Sequence, residues 1–351
     1  MEINKKVCNF YHFTLKELED VCLAFGGNKY NARQLFEWVY KKNITSFEQI
    51  SNISKNIIKK ISQNISLPEF KLVDKLIDKK DGTVKFLFSL EDVNVIETVL
   101  MKFEWGNSIC VSTEIGCNMG CKFCASGQLK LVRKLTVAEI IMQYVMVNKF
   151  CLQNNEKISH IVFMGIGEPL DNYENLLKAI SILQNPYGIN IGSRKITIST
   201  CGIIENIYKL SSDLPQVNLA ISLHATNDML RNKLMPINKA YSLEKLLSSI
   251  DYYIKKTNRR VTFEYLMLDG INDTDECLQE LINIAKNRLC YINLIPYNNV
   301  IDTTFCCSKR IDYFKNQLLS NNITATVRLE RGSNINAACG QLRANYEKRK
   351  I

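Results

Sequence analysis

The spacing of apolar residues over the first 68 positions is helical. Apolar side chains recur every three or four positions in three stretches, which predicts helices at 14–24, 32–40 and 54–63. We therefore expect a small helical domain over residues 1–68. Its many basic residues either contact RNA or form a solvated face, and the pattern alone leaves both interpretations open.

The next segment, 69–108, has the pattern of β-strands. Runs at 71–77 and 83–89 flank Asp81 and Gly82, a dipeptide typical of tight hairpin turns. A third run at 95–103 follows. These runs predict a β-rich extension between the helical domain and the rest of the chain.

From residue 109 onward, short apolar runs alternate with helical stretches. Thr136 and Glu139 form the T-x-x-E pattern of a capping box, which marks one helix start. Such alternation predicts an α/β fold with a parallel sheet, doubly wound or barrel-like, with ligands at the C-terminal ends of the strands. We expect this domain over 109–330, followed by a C-terminal loop and basic tail over 331–351. The predicted strands are 109–112, 160–164, 195–199, 217–223, 260–265 and 291–295.

The amino-acid composition limits which binding partners and which cellular location we expect for the protein. The 351 residues carry 45 Lys and Arg against 35 Asp and Glu, and the net charge of +10 favours a polyanion such as RNA or DNA. No apolar run approaches the ~18 residues of a membrane-spanning helix, and the polar N-terminus lacks a secretory signal. We therefore expect a cytoplasmic protein without a membrane partner. In a reducing compartment its 13 cysteines are metal ligands, redox groups or packing residues rather than a disulfide framework.

A C-x3-C-x2-C run carries the strongest chemical signal. Cys117, Cys121 and Cys124 place three thiols on one loop directly after a predicted strand. Zinc sites usually have four ligands, and the four-cysteine spacings of ferredoxins are not met. The run therefore predicts a [4Fe–4S] cluster with one iron open to a small molecule. Zinc binding and three free thiols are the alternatives.

This run, with Phe123 before its last cysteine, resembles the radical S-adenosylmethionine (SAM) superfamily. The resemblance implies a partial (β/α)6 barrel in which the three cysteines hold a [4Fe–4S] cluster. The open iron then binds SAM, and one electron cleaves SAM to methionine and a 5′-deoxyadenosyl radical. By the same resemblance, the SAM-binding residues are Gly167, Glu168, Ser199, Ser222, Leu223, His224 and Asn298.

A narrower resemblance covers nearly the whole chain. The segments 32–38, 96–98, 110–117, 234–238 and 335–342 are similar to the RlmN/Cfr family of adenosine methyltransferases. The resemblance implies that Cys339 becomes S-methylated, that Cys110 later forms a disulfide with it, and that Glu97 accepts a proton. One departure is the pair Asn334 and Asn336, where the family usually has acidic residues.

The family resemblance also implies the chemistry and the partners. Two SAM molecules serve each turnover: one methylates Cys339, and the other yields the radical that abstracts hydrogen from the S-methyl group. The expected product is adenosine methylated at C2 in 23S rRNA near the peptidyl transferase centre, and also in tRNA next to the anticodon. An external electron donor such as a flavodoxin or ferredoxin is implied, as is a monomer. Cfr-like methylation at C8 is the alternative, and a non-catalytic, metal-stabilised RNA-binding protein is a remote one.

Overall fold

A computed structural model of the chain describes residues 8–298, 300 and 303–342. Its main feature is one sheet of ten strands whose spatial order follows the order of the chain. Strands β1 to β4 pair antiparallel, and β4 to β10 pair parallel. The strands are β1 Lys71–Ile77, β2 Val84–Ser89, β3 Val95–Phe103, β4 Gly106–Cys110, β5 Ile158–Phe163, β6 Ile196–Thr200, β7 Asn218–Ser222, β8 Val261–Met267, β9 Cys290–Pro296 and β10 Ala325–Val327.

The predicted hairpin and the antiparallel runs are confirmed. Strands β1 and β2 pair around the turn at Asp81 and Gly82, where the glycine has a positive φ of 73°. Strand β3 turns back into β4, and β4 pairs with both β3 and β5. The β-rich extension is therefore continuous with the parallel sheet.

Two details of the strand prediction differ from the structure. The strand expected at 109–112 begins at Gly106 and ends at Cys110, because a turn at Glu104 and Trp105 pairs Gly106 with Phe103. A seventh parallel strand, β10, was not predicted. It has three residues, too few for alternation to stand out from a loop.

Helices connect the parallel strands and pack against the sheet. Thr136 and Glu139 form the predicted capping box at the start of α4. Asn172 lies at the N-cap of α5, but its side chain instead donates to the carbonyls of Thr113 and Leu135. The helices are α1 Leu15–Ala24, α2 Lys29–Phe36, α3 Lys55–Asn64, α4 Val137–Gln153, α5 Tyr173–Gln184, α6 Ile204–Asp213, α7 Asp228–Leu234, α8 Leu243–Thr257, α9 Asp275–Ala285 and α10 Ile311–Ser320.

The N-terminal helices pack around a group of buried aromatic rings. Helices α1, α2 and α3 match the three predicted stretches, and α2 continues as a π-helix over Glu37–Lys41. The ring of Phe10 contacts Tyr11, Phe36, Tyr40 and Phe47. This cluster joins the hydrophobic core of the sheet and its helices.

The segment after β10 crosses from one edge of the sheet towards the other. The Gly332 amide donates to Asp81 (2.9 Å), and the Asn334 side chain donates to Asp78 (3.1 Å). Both acceptors lie in the β1–β2 turn. At its far end, Leu342 accepts a hydrogen bond from Ser126 at 2.7 Å. Residues 332–342, called the C-terminal loop below, are thus fixed at both ends, and the basic tail expected after residue 342 lies outside the described residues.

Among the residues that the structure describes, no helix is both long and apolar enough to span a bilayer.

Candidate functional site: a thiol-rich cavity at the strand ends

The three cysteines of the C-x3-C-x2-C run lie on the loop between β4 and α4 and line one cavity. Positive φ angles at Gly116 (76°) and Gly120 (67°) allow the tight winding of this loop. Burial raises the pKa of Cys117 to about 12 and also raises the pKa of Cys121 and Cys124. The charge of Cys124 also raises the pKa of Cys117, and the charges of Cys117 and Cys124 both raise the pKa of Cys121. Desolvated thiols of this kind ionise only when a cationic centre binds them.

This donor set fits an iron–sulfur cluster. In the described part of the chain, no three His, Cys, Asp or Glu side chains converge on a single-ion site. A [4Fe–4S] cluster does not require such convergence, because each cysteine binds a different iron. The cavity that the three thiols share is open to solvent and extends to the ends of β5, β6 and β7, where a further ligand can lie beside the thiols.

A buried arginine joins the strand ends near the cysteine loop. Arg231, fully buried, donates to the carbonyls of Cys201, Ser222 and Leu223 at 2.7 to 3.3 Å. Its positive charge lowers the pKa of Cys121 and so opposes the effect of burial. Arg231 therefore ties the ends of β6 and β7 together and offsets negative charge at Cys121.

The turn after β5 brings backbone close to the cavity. Gly167 has φ of 104°, and a Cβ atom there would lie 2.5 Å from Cβ of Glu114. A Cβ on Gly165 would lie 2.7 Å from Oγ of Ser112. Only glycine fits at these two positions, so the turn presents bare backbone to the cavity.

Glu168 follows that turn and is 4% exposed. One carboxylate oxygen accepts from the Leu170 amide (2.9 Å) and the other from the Cys201 amide (2.8 Å). Burial raises the pKa of Glu168, while these hydrogen bonds oppose the rise. Glu168 thus joins the ends of β5 and β6 and still lines the cavity.

His224 forms the opposite wall. Its Nδ1 accepts from the Leu266 amide (3.1 Å), so the proton lies on Nε2. Burial lowers the His224 pKa to about 3, which keeps the ring neutral. The ring packs edge-on against Phe123 at 4.9 Å between centroids.

The structure brings most of the predicted SAM-binding residues together, but not all of them. The cavity is lined by Gly167, Glu168, Ser199, Ser222 and His224. Leu223 is fully buried in the main core and is not part of this wall. Asn298 lines an adjoining cavity, which also contains Cys339.

The C-terminal loop carries Cys339 into the wall shared by both cavities. Burial raises the pKa of Cys110 to about 12, and the nearby Cys339 adds to the rise. Cys339 also raises the pKa of Cys124. The exposed thiol of Cys339 therefore lies close to both a cluster cysteine and Cys110, with no disulfide between them.

Glu97 lies on the same sheet face as Cys110. Cys110 on β4 and Lys85 on β2 both pair with Val99 on β3, so the three side chains lie on one face of the sheet. Glu97 is two residues from Val99 on β3, and alternate residues of a strand share a face. Nζ of Lys85 lies 3.2 Å from Oε1 of Glu97 and donates to the Asn336 carbonyl at 2.8 Å. Glu97 does not line either cavity directly and is 5% exposed.

Sequence patterns did not indicate two charged residues at the centre of the site. Arg328 lines both cavities, and its guanidinium lies 3.6 Å from Oε2 of Glu264. Arg328 lowers the pKa of Cys110, opposing the effect of burial. For Glu264 the available signal was its place as the only charged residue on strand β8. Arg328 directly follows β10, a strand that was itself not predicted, so no pattern marked it.

Comparisons with known proteins agree with this site. The model of the Radical SAM superfamily matches residues 111–283, and that of the ribosomal RNA large subunit methyltransferase N-terminal domain matches residues 8–67. The chain is 51% identical over 337 residues to a probable dual-specificity RNA methyltransferase RlmN of Malacoplasma penetrans, covering 95% of this chain and 96% of the relative. The corresponding protein of Spiroplasma citri is 49% identical over 339 residues, covering 97% and 98%. The crystal structure of a radical SAM methyltransferase from Sphaerobacter thermophilus superposes with a TM-score of 0.91 at 39% identity, covering 96% of this chain and all of that one.

Proposed function

Because the chain belongs to the RlmN family of radical SAM RNA methyltransferases, we propose that it methylates C2 of an adenosine in 23S rRNA through an S-methylcysteine at Cys339. We propose tRNA as a second substrate. The observation that carries the proposal is the place of Cys339, in the wall shared by two cavities and close to both Cys124 and Cys110.

In the proposed reaction, Cys117, Cys121 and Cys124 hold the [4Fe–4S] cluster. Gly167, Glu168, Ser199, Ser222 and His224 line the place for SAM. When bound, the cluster and SAM would supply one-electron cleavage of a carbon–sulfur bond, the resulting radical would abstract hydrogen from the S-methyl group, and the cluster would take back the one electron released after the carbon has bonded to C2. Direct polar transfer fails at C2, because a ring carbon of adenine is not a nucleophile.

The chain's own residues perform the other steps. The Cys339 thiolate accepts a methyl group from the first SAM, since thiolates are good nucleophiles. After the carbon of this group has bonded to C2, Glu97 takes the ring proton. The Cys110 thiolate then attacks the Cys339 sulfur, which breaks the sulfur–carbon bond to the RNA and leaves a disulfide, and the released carbon takes up a proton to become the methyl group. An external donor such as a flavodoxin or ferredoxin returns two electrons to restore both thiols.

We also propose a cellular location and an oligomeric state for the protein. A transient disulfide of this kind is compatible with a reducing cytosol, where we place the protein. We propose that it acts as a monomer. The helical module within residues 1–68 serves RNA binding, and residues 331–351 carry the reactive cysteine and the basic tail.

The test is an anaerobic assay of the reconstituted enzyme with SAM, a reductant and unmodified 23S rRNA or tRNA. We expect 5′-deoxyadenosine together with 2-methyladenosine in the digested RNA, identified by mass spectrometry. Cys339→Ala is expected to abolish methylation and to retain the visible absorbance of the cluster. The matched control is Cys306→Ala, because Cys306 is also exposed but lies outside both cavities.

Three results contradict the proposal. Full methylation by Cys339→Ala excludes the S-methylcysteine route. A methyl group on C8 places the enzyme in the Cfr branch. Binding of zinc in place of iron, without 5′-deoxyadenosine, indicates a non-catalytic RNA-binding protein.

A further inference from the structure

Two aromatic rings are stacked at the β3–β4 turn, where the surface faces solvent. Trp105 is 58% exposed, and its ring lies parallel to that of Phe103, with 4.5 Å between centroids and an interplanar angle of 10°. The ring of His160 contacts Trp105 edge-on at 4.5 Å. Tryptophan is highly buried on average, so an exposed indole that is stacked on a second ring is a candidate binding surface.

A cation from the C-terminal segment completes this surface. The guanidinium of Arg331 lies 5.1 Å from the ring centroid of Phe103. Its Nε is buried and has no hydrogen-bond partner among the residues that the structure describes. Arg331 therefore carries an unused donor beside the stacked rings. Phe103, Trp105 and Arg331 are called the aromatic platform below.

The aromatic platform and Cys339 line the same cavity. A group packed on the platform is therefore a neighbour of the group that reacts at Cys339. Ala337 and Ala338, which have small side chains, also line this cavity.

The chemistry of the platform selects one class of partner. Unpaired bases in RNA stack on exposed aromatic rings and on arginine guanidinium planes, and this stacking tolerates any base. The net charge of +10 favours a polyanion over an acidic protein surface.

We propose that the aromatic platform packs against an unpaired base of the substrate RNA that neighbours the target adenosine. This inference rests on the proposed function and adds a positioning site to it. The neighbouring base holds the strand in register, while the target adenine occupies the part of the cavity next to Cys339.

The first test separates KM from kcat. Using the holoenzyme and a synthetic RNA hairpin that the wild type methylates, we expect Trp105→Ala to raise KM for RNA by roughly tenfold, the scale of one lost base–aromatic contact. We expect kcat at saturating RNA to be retained, and Trp105→Phe to restore most of the affinity. The matched control is Tyr252→Ala, which removes another exposed aromatic residue (45% exposed) from an edge-on pair with Tyr208 away from both cavities.

The second test observes the contact directly. The chain has two tryptophans, so Trp38→Phe leaves Trp105 as the sole indole reporter. We expect the RNA hairpin to quench its fluorescence. We also expect the same hairpin with abasic sites on both sides of the target adenosine to bind more weakly and quench less.

The results that would overturn this inference differ from those that would overturn the proposed function. If the wild type methylates the hairpin but Trp105→Ala has an unchanged KM, the platform inference is overturned and the proposed function stands. A defect confined to reduction by flavodoxin or ferredoxin also overturns it, because the partner is then a protein. If the wild type methylates neither rRNA nor tRNA, the proposed function fails, and this inference fails with it.

Discussion

Nζ of Lys85 lies 3.2 Å from Oε1 of Glu97, and both side chains are at least 94% buried. The same ammonium group donates to the Asn336 carbonyl in the C-terminal loop, at 2.8 Å. Lys85 therefore connects the proposed proton acceptor on β3 with the loop that carries the reactive cysteine.

Replacing Lys85 tests this connection. Lys85→Met leaves Glu97 as a buried charge without its lysine and the Asn336 carbonyl without its donor. Loss of one partner of a buried ion pair costs about 3–5 kcal/mol, so we expect the free energy of unfolding in urea to fall by that amount. We also expect single-turnover methylation to slow. Lys85→Arg keeps the positive charge and serves as the control. If Lys85→Arg loses as much stability and activity as Lys85→Met, the role of the charge is contradicted.

The pH dependence of Cys110 provides a second prediction. Burial raises its pKa to about 12, so near neutral pH nearly all of the thiol is protonated and only a small fraction is the attacking thiolate. The thiolate fraction rises about tenfold per pH unit below that pKa. If attack by Cys110 limits release of the RNA, the decay rate of the covalent RNA–enzyme adduct rises with pH in the same proportion. Gel analysis of quenched single turnovers between about pH 7 and 9 measures this decay.

Two variants test whether that pH dependence comes from ionisation of Cys110. Cys110→Ala is expected to accumulate the adduct at every pH, because no thiol is left to attack Cys339. Arg328→Met removes the charge that lowers the Cys110 pKa, so the adduct is expected to decay more slowly at a given pH. A decay rate that does not vary with pH in the wild type contradicts the prediction.

The glycine turn after β5 provides a third prediction. A methyl group at Gly167 would lie 2.5 Å from Cβ of Glu114, and its φ of 104° is unfavourable for any other residue. Gly167→Ala is expected to destabilise the fold by roughly 1–3 kcal/mol and to weaken SAM binding, because the turn that lines the cavity must shift away from Glu114. Equilibrium dialysis with labelled SAM and urea unfolding measure the two effects.

The control for that variant is Gly192→Ala. A methyl group at Gly192 would meet no atom within 4 Å, and the φ of −63° is an ordinary one, so alanine is accommodated without strain. Equal SAM affinity in the wild type and in Gly167→Ala contradicts the inference that bare backbone at this turn is required.

Short-range patterns predicted the parts of the site that depend on residues a few positions apart. These are the cysteine loop and the strand–helix alternation. By contrast, the hydrogen bond that Lys85 donates to Asn336 and the one that Gly332 donates to Asp81 each join residues 251 positions apart. No local periodicity marks such contacts. Arg328 escaped prediction for a related reason: the strand before it, β10, has three residues and is defined only by its pairing with β9.

The contact between Asn334 and Asp78 provides the last prediction, at one of the two positions where the family usually has an acid. The Asn334 amide donates to Oδ1 of Asp78 at 3.1 Å and helps fix the C-terminal loop to the β1–β2 turn. Asn334→Asp replaces a hydrogen bond with two adjacent carboxylates, so we expect the loop to loosen and single-turnover methylation to slow several-fold. In the double variant Asn334→Asp with Asp78→Asn, the donor and acceptor are exchanged and the rate is expected to recover. Additive losses in the double variant contradict a direct contact, because coupled residues give non-additive effects in a double-mutant cycle.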